Sequence, residues 1–152
     1  MSDVDLVKEL NSVFDRYDFV AIRDAMEGSS SDAISSGIVE LNQLVRGAMA
    51  TDVSVEFHGG FQLPEGPRYE GLEGYLRFFR GWLAAFDEYR LLHGGYEQIG
   101  ESVLVDVVHV GRGRGSGLPL EFAQAQRWVV RGGVVVEVHV YEGRTEALAD
   151  TE

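Results

Sequence analysis

The sequence predicts an α+β fold in which helices cover one face of a bent antiparallel sheet. Two apolar runs flank a Gly-containing break, at residues 118–130 and 134–141, and this pattern indicates a β-hairpin. The first run is much longer than an ordinary strand of about five or six residues, so we expect it to bend or twist strongly. A bent sheet has a concave apolar side, and a strongly aromatic helix at residues 72–89 is suited to cover it.

The N-terminal part of the chain is predicted to be helical. Apolar side chains follow helical spacing over residues 3–26, and Asp18 has the chemistry of an N-cap, so we expect two helices with a break near Tyr17. Residues 27–37 are rich in Ser and Gly and indicate a loop. Residues 38–49 place apolar side chains on one face and predict a third helix.

The remaining chain is predicted to be mostly strands. Residues 52–58 alternate in type and indicate a strand, and the Gly and Pro content of residues 59–71 indicates a loop. After the aromatic helix, strands at 90–99 and 102–110 precede the long hairpin. Because the turns between these consecutive strands are short, we expect an antiparallel meander.

Length and composition indicate a single domain over residues 1–152. No segment has the roughly 18 consecutive apolar residues of a membrane span, and the acidic N-terminus lacks the apolar core of a signal peptide, so no membrane partner is expected. The sequence has no cysteine, which excludes disulfides, thiolate metal sites and a Cys nucleophile. A cytoplasmic location fits these features.

The charge pattern argues against a nucleic-acid partner. Asp and Glu number 25 against 13 Lys and Arg, a formal net charge of −12. The one basic cluster, Arg112 and Arg114 in GRGRGSG, lacks the Lys-Ser/Thr ending and the following helix of a phosphate loop, and a hairpin turn explains it better. Four His are scattered without HxH or HExxH spacing, and no GxSxG is present, so neither a metal site nor a cofactor is expected.

Three residues are candidates for acid–base catalysis: His58, Glu137 and His139. His58 sits where a strand meets a Gly-Gly turn, where it could act as a general base or simply bond to the turn backbone. Glu137 and His139 share one face of the last strand with Tyr141, a candidate ligand contact, and the three could form a polar ladder inside the bent sheet. Alternatively, the valines at 134, 136, 138 and 140, on the opposite face, line the interior, and the ladder points outward.

Further residues are candidates for ligand binding. Gln126 and Trp128 share a strand face and suit either a pocket wall or an ordinary core. Tyr17 and Tyr69 could donate hydrogen bonds at a pocket mouth or could serve packing alone. Trp82 and Phe86, on the aromatic helix, are expected in the core and at most in the pocket wall.

His109 and Asp106 lie close together in the sequence of one predicted late strand. His109 shares a face with three valines, whereas Asp106 lies on the opposite face. The two are therefore not a His–Asp pair, and each is expected to be structural or exposed.

Six motifs stand out along residues 50–148: VEFHGG, PEGPRYEGLEGYLRFF, FDEYR, GRGRGSG, AQRWVV and RGGVVVEVHVYEGRTEAL. Together they resemble the SnoaL-like branch of the nuclear-transport-factor-2-like (NTF2-like) superfamily. It implies a cone-shaped, curved antiparallel sheet wrapped around N-terminal helices, the cystatin/NTF2-like α+β roll. It also implies a ligand-binding pocket at the open end and a homodimer formed through the outer sheet face.

The family includes ketosteroid isomerases, polyketide cyclases, epoxide hydrolases and dehydratases, so the fold alone does not decide function. The position of the isomerase Asp corresponds to Phe57, and that of its oxyanion Tyr falls near Leu10, so that mechanism is rejected. The cyclase pattern needs an Asp from the later strands, where Asp106 is the only one and is not obviously equivalent.

Two hypotheses remain open. In the first, the protein is a cofactor-free cyclase, dehydratase or isomerase that acts on a hydrophobic oxygenated small molecule through His58 or the Glu137–His139–Tyr141 ladder. In the second, it is a non-catalytic ligand-binding or interaction module. An open cavity of at least ~300 Å³ with two or more converging titratable groups favours the enzyme, whereas a cone plugged by aromatic side chains favours the second hypothesis.

Overall fold

A computed structural model describes residues 2–20, 32–59 and 67–150, with no side-chain placement for 32–38 and 42. The helices are α1 (Asp3–Arg16), α2 (Asp32–Ala48), α3 (Gly71–Leu83) and α4 (Arg144–Asp150). The strands are β1 (Met49–Phe57), β2 (Arg68–Glu70), β3 (Phe86–Ile99), β4 (Ser102–Gly113), β5 (Pro119–Arg131) and β6 (Val134–Tyr141). The fold is therefore α+β, as the sequence predicts.

The six strands form one curved sheet in the order β2-β1-β6-β5-β4-β3. Strands β3 to β6 make the predicted antiparallel meander, and the β5–β6 hairpin has nearly the predicted bounds. The expectation of a wholly antiparallel sheet is wrong at one place, because β1 pairs with β6 in parallel. Strand β1 follows a helix rather than a hairpin turn, so nothing in its local sequence fixes its direction.

The main core lies between the concave face of the sheet and helices α1, α2 and α3. Buried residues of this core come from all three helices and from all six strands. Val138 and Val140 face it, but the next core valine is Val135 rather than Val136. The β5–β6 register shifts between Val129 and Val130, which leaves Val136 as the extra residue of a bulge.

The aromatic helix is shorter than predicted. Helix α3 ends at Leu83, and Phe86 and Tyr89 belong to strand β3. Their spacing of three residues resembles a helical face, but it arises because the β3–β4 register shifts between Phe86 and Glu88. The bulge brings both rings to the concave face, where their centroids lie 4.8 Å apart.

The N-terminal helices follow the prediction in part. Helix α1 begins at a capping box formed by Ser2 and Asp5 and ends with Tyr17 as its C-cap, which confirms the break there. Helix α2 begins at Asp32, so the loop predicted for residues 27–37 is wrong from Asp32 onward. Ser lowers helix propensity by well under ~1 kcal/mol, which is too little to prevent a helix here.

Three predicted segments fall partly outside the described residues: the second helix over residues 21–26, the Ser- and Gly-rich loop over 27–31 and the Gly/Pro loop over 60–66. Phe19 and Val20 are helical and buried. No helix in the described part of the chain is long and apolar enough to span a lipid bilayer.

Candidate functional site

A cavity of about 60 Å³ lies between the concave sheet face and helices α1 and α3. Eight aromatic side chains from α1, α3, β1, β3 and β5 line it. Its polar groups are Asn11 from α1, His109 from β4 and the amides of Gln124 and Gln126 from β5, together with the phenol groups of the lining tyrosines. Among the described residues that line the cavity, none carries a carboxylate.

His109 is held between two partners on neighbouring strands. Its Nε2 lies 2.7 Å from Oε1 of Gln124, and its Nδ1 lies 2.8 Å from the hydroxyl of Tyr89. An amide oxygen only accepts, so Nε2 carries the proton and donates it to Gln124. Nδ1 then accepts from the Tyr89 hydroxyl, and both ring nitrogens are satisfied in the neutral imidazole.

Burial keeps these groups uncharged at neutral pH. Desolvation lowers the pKa of His109 to about 4, although its hydrogen bond with Gln124 acts in the opposite direction. Burial raises the pKa of Tyr75 to about 12. It also raises the pKa of Tyr89, against the effect of a hydrogen bond with the Trp82 indole.

Three residues proposed from the sequence as ligand contacts line this cavity: Trp82, Gln126 and Trp128. Nε1 of Trp128 donates to Oε1 of Gln126 over 3.1 Å, and both indoles are almost fully buried. Because an indole N–H only donates, Gln126 must present its oxygen to Trp128 and its NH₂ group elsewhere.

Four other proposed ligand contacts lie outside the cavity wall: Phe86, Tyr69, Tyr17 and, on the convex face of the sheet, Tyr141. Phe86 is buried beside Trp82, with ring centroids 5.5 Å apart. Tyr69 is buried against Phe57, at a centroid distance of 6.4 Å. Tyr17 is half-buried and hydrogen-bonds to Glu40, which raises the pKa of the phenol.

The Glu137–His139–Tyr141 ladder lies on the convex face of the sheet, not inside the cone. Val138 and Val140 take the interior, so the side chains between them point outward. Tyr141 packs in a second buried cluster beneath helix α4. Its hydroxyl donates to Asp150 and accepts from Nε of Arg127 at 3.2 Å.

His58 joins this convex-face group. Its Nε2 lies 2.9 Å from Nδ1 of His139, and Nε2 of His139 lies 2.9 Å from Oε1 of Glu137. The His58 and Tyr141 rings are stacked, 4.6 Å apart. The structure thus brings the three proposed catalytic residues together, but it separates them from the aromatic cavity by the thickness of the sheet.

The polar centre of the cavity is formed by His109, Tyr89 and Gln124, which the sequence did not indicate as ligand contacts. The expectation that His109 is only structural or exposed is wrong in one respect, because its buried ring lines the cavity. The place of His109 in a run of alternating buried valines was the available signal, because a polar residue on such a face must find partners. Asp106 lies on the opposite face as expected, and pairs with Arg144 at 3.6 Å.

No family model and no curated protein matches the sequence. Among solved structures, an NTF2-like protein from Burkholderia thailandensis E264 matches with TM-score 0.69 and 18% identity, over 99% of this chain and 97% of that chain. A protein described as a SnoaL-like polyketide cyclase from Jannaschia sp. CCS1 matches with TM-score 0.57 and 17% identity, over 73% of this chain and 77% of that chain. A protein with a ketosteroid isomerase-like fold from Catenulispora acidiphila DSM 44928, in complex with trimethylamine, matches with TM-score 0.55 and 18% identity, over 71% of this chain and 79% of that chain.

These likenesses, together with a curved sheet wrapped around helices, define an NTF2-like α+β roll with an aromatic internal cavity. The fold predicted from the sequence motifs is confirmed. At this level of identity the comparisons speak to the fold and not to the reaction or the ligand.

Proposed function

We propose that this protein binds a small, mostly apolar molecule bearing a carbonyl-type oxygen, and that it does so without acid–base catalysis. The observation that carries the proposal is the pair of amides in the cavity wall. Oε1 of Gln124 accepts from His109, and Oε1 of Gln126 accepts from Trp128. Both NH₂ groups are then available to donate to a ligand oxygen.

The aromatic lining supplies the apolar part of the site. Ring faces and edges exclude water and favour a compact hydrophobic body, while a few placed polar groups fix its orientation. The volume of about 60 Å³ suits a fragment-sized molecule and is well below the ~300–1,000 Å³ of larger ligand pockets. Phe78 and Tyr75 lie in the wall, are mostly but not fully buried, and must move for anything larger.

The same wall argues against acid–base catalysis. Phe57, at the position corresponding to the isomerase Asp, contributes a ring to the cavity, and Leu10, near the position of the oxyanion Tyr, is buried core. A His with a pKa of about 4 is a weak base at neutral pH and already has a partner on each nitrogen. Cyclase, dehydratase or isomerase chemistry therefore has no candidate base among the described residues lining this cavity.

Intrinsic fluorescence offers a direct test, because the chain has two Trp and both line the cavity. We expect cyclohexanone to change the Trp emission saturably and methylcyclohexane, a similar shape without an acceptor, to bind more weakly. Gln126→Met keeps the side-chain length but removes both the NH₂ donor and the oxygen that accepts from Trp128. It should weaken cyclohexanone binding by about 2- to 12-fold. Binding of methylcyclohexane, which needs no donor, should be unchanged and controls for the lost Trp128 bond.

Gln43→Met, on the exposed face of α2, is the matched control and should behave like the wild type. The proposal is wrong if neither molecule alters the emission at millimolar concentration. It is equally wrong if Gln126→Met binds both molecules as the wild type does. A homodimer, a cytoplasmic location and a single domain over residues 1–152 stay predictions.

A further inference from the structure

We propose that the convex face of the sheet carries a binding site for a divalent transition metal, formed by Glu56, His58 and His139. One ligand atom from each of these residues lies within 4.8 Å of the other two. Two imidazoles and a carboxylate suit Zn²⁺, Ni²⁺ or Cu²⁺ rather than Mg²⁺ or Ca²⁺, which prefer oxygen ligands. A fourth position would remain for water, as in open metal sites.

The parallel pairing of β1 with β6 builds this site. Glu56 lies directly opposite His139 in the register, and Glu56 and His58 are two residues apart, which puts both on the convex face. The backbone N–H of His58 donates to the Val140 carbonyl over 2.8 Å and holds the end of β1 against β6. The sequence shows no metal motif because 81 positions separate the two His.

The nitrogen positions are compatible with coordination. Metal–imidazole bonds are about 2.0–2.1 Å long, so two ligand nitrogens 2.9 Å apart subtend an angle of about 90° at a shared metal. That angle suits the tetragonal geometry of Ni²⁺ or Cu²⁺ directly. Tetrahedral Zn²⁺ needs a separation of about 3.3 Å, which a small rotation of the half-exposed His58 ring provides.

Glu137 supplies the outer partner that metal-binding His residues usually have. Its Oε1 lies 2.9 Å from Nε2 of His139, so the Nε2–H donates to the carboxylate. This bond fixes the tautomer in which the Nδ1 lone pair points toward His58. The ring of Tyr141 stacks on the His58 imidazole and restricts its orientation.

Arg68 carries a positive charge beside the proposed ligands and opposes a bound cation, and Nη1 of Arg131 lies 3.8 Å from Oε2 of Glu137. Nη1 of Arg68 lies 3.2 Å from Oε2 of Glu56, while its Nε pairs with Glu70 at 2.8 Å. The second pair allows Arg68 to keep a carboxylate partner when Glu56 turns to a metal. The site lies across the sheet from the aromatic cavity, so it stands independently of the proposed ligand.

The test uses the untagged full chain, stripped with a chelator and titrated with ZnCl₂, NiCl₂ or MgCl₂ by calorimetry. We expect one Zn²⁺ or Ni²⁺ per chain and no Mg²⁺ binding. Because it removes the outer partner of His139, Glu137→Gln should weaken Zn²⁺ binding by about 10- to 100-fold. His58→Ala should abolish it, and His93→Ala, a His removed elsewhere, should leave it unchanged.

A second readout identifies the ligand atoms. Long-range ¹H–¹⁵N spectra should show Zn²⁺ shifting Nε2 of His58 and Nδ1 of His139, with the His109 nitrogens unaffected. The proposal fails if the wild type does not bind Zn²⁺ or Ni²⁺, if His58→Ala binds as tightly as the wild type, or if Mg²⁺ binds equally well.

Discussion

The hydroxyl oxygen of Tyr89 lies 2.8 Å from Nδ1 of His109, and this contact begins a chain of hydrogen bonds that continues to Gln124. The chain crosses from β3 to β4 to β5 through the aromatic cavity. Each group in it is neutral at neutral pH, so the protein buries a polar network without burying a charge. That neutrality has a direct consequence for the pH dependence of folding.

Acid should destabilise the protein through His109. Its pKa is about 4 when folded and about 6.5 when unfolded, so between pH 6.5 and pH 4 the unfolded chain binds the proton more strongly than the folded chain. Stability from this group is present above pH 6.5 and is lost as the pH falls toward 4. We expect a loss of about 2 kcal/mol between pH 7.5 and pH 5, measured by urea denaturation.

The variant His109→Gln separates this effect from that of the carboxylates. It retains hydrogen-bonding groups but cannot titrate, so its stability should fall less steeply over the same pH range. An equal slope in the variant and the wild type would show that His109 does not contribute.

Gly111 should tolerate no side chain. A Cβ placed there would lie 2.1 Å from the backbone oxygen of Glu88 on the neighbouring strand, which cannot move without separating β3 from β4. We expect Gly111→Ala to lose about 1–3 kcal/mol in urea denaturation. Gly95→Ala is the matched control, since nothing lies within 4 Å of its Cβ position, and it should be close to neutral.

Phe79 should be a major source of stability, because it joins helix α3 to the N-terminal helices. Its ring packs edge-on against Phe14 and Phe19 at centroid distances of 5.5 and 5.4 Å. Phe79→Ala should cost about 3–5 kcal/mol. Leu92→Ala, at an exposed position, should cost much less, and equal losses in urea denaturation would contradict this role for Phe79.

Tyr141 should anchor helix α4 to the convex face. Its hydroxyl donates to Asp150, and this bond lowers the pKa of the Asp150 carboxyl. The pKa of Tyr141 is raised to about 12, mainly by burial and secondly by the same hydrogen bond. Tyr141→Phe should lose about 1 kcal/mol at pH 7, since Asp150 is half-exposed and solvent weakens the pair. Hydrogen exchange in α4 should rise, whereas Tyr17→Phe, the control, should leave α4 unchanged.

Much of the fold could be predicted from local sequence patterns. The β5–β6 hairpin and the break after α1 were predictable because turn glycines and capping residues act on their near neighbours in the chain. The end of α3 was not predictable, because a strand bulge gives Phe86 and Tyr89 the spacing of a helical face. The structure of that segment depends on pairing with a distant strand, which no short stretch of sequence reveals.

The candidate site was likewise predictable from the sequence only in part. Trp128 and Gln126 could be placed on one wall from strand alternation alone. The sequence could not decide whether Val138 or His139 points inward. One face of β6 is apolar and the other mixes polar and aromatic groups, and either face could line a ligand-binding cone. Which face is interior depends on partners far away in the chain.

The parallel contact between β1 and β6 also has a consequence for how the chain acquires its shape. The β1–β2 pair cannot join the larger sheet until β6, the last strand, is available, because β6 is what connects them. Pairing between distant strands slows folding, because the chain must lose the entropy of loop closure before the strand contacts form. During synthesis, the apolar side of β1 can therefore pack only against the early helices until β6 has been made.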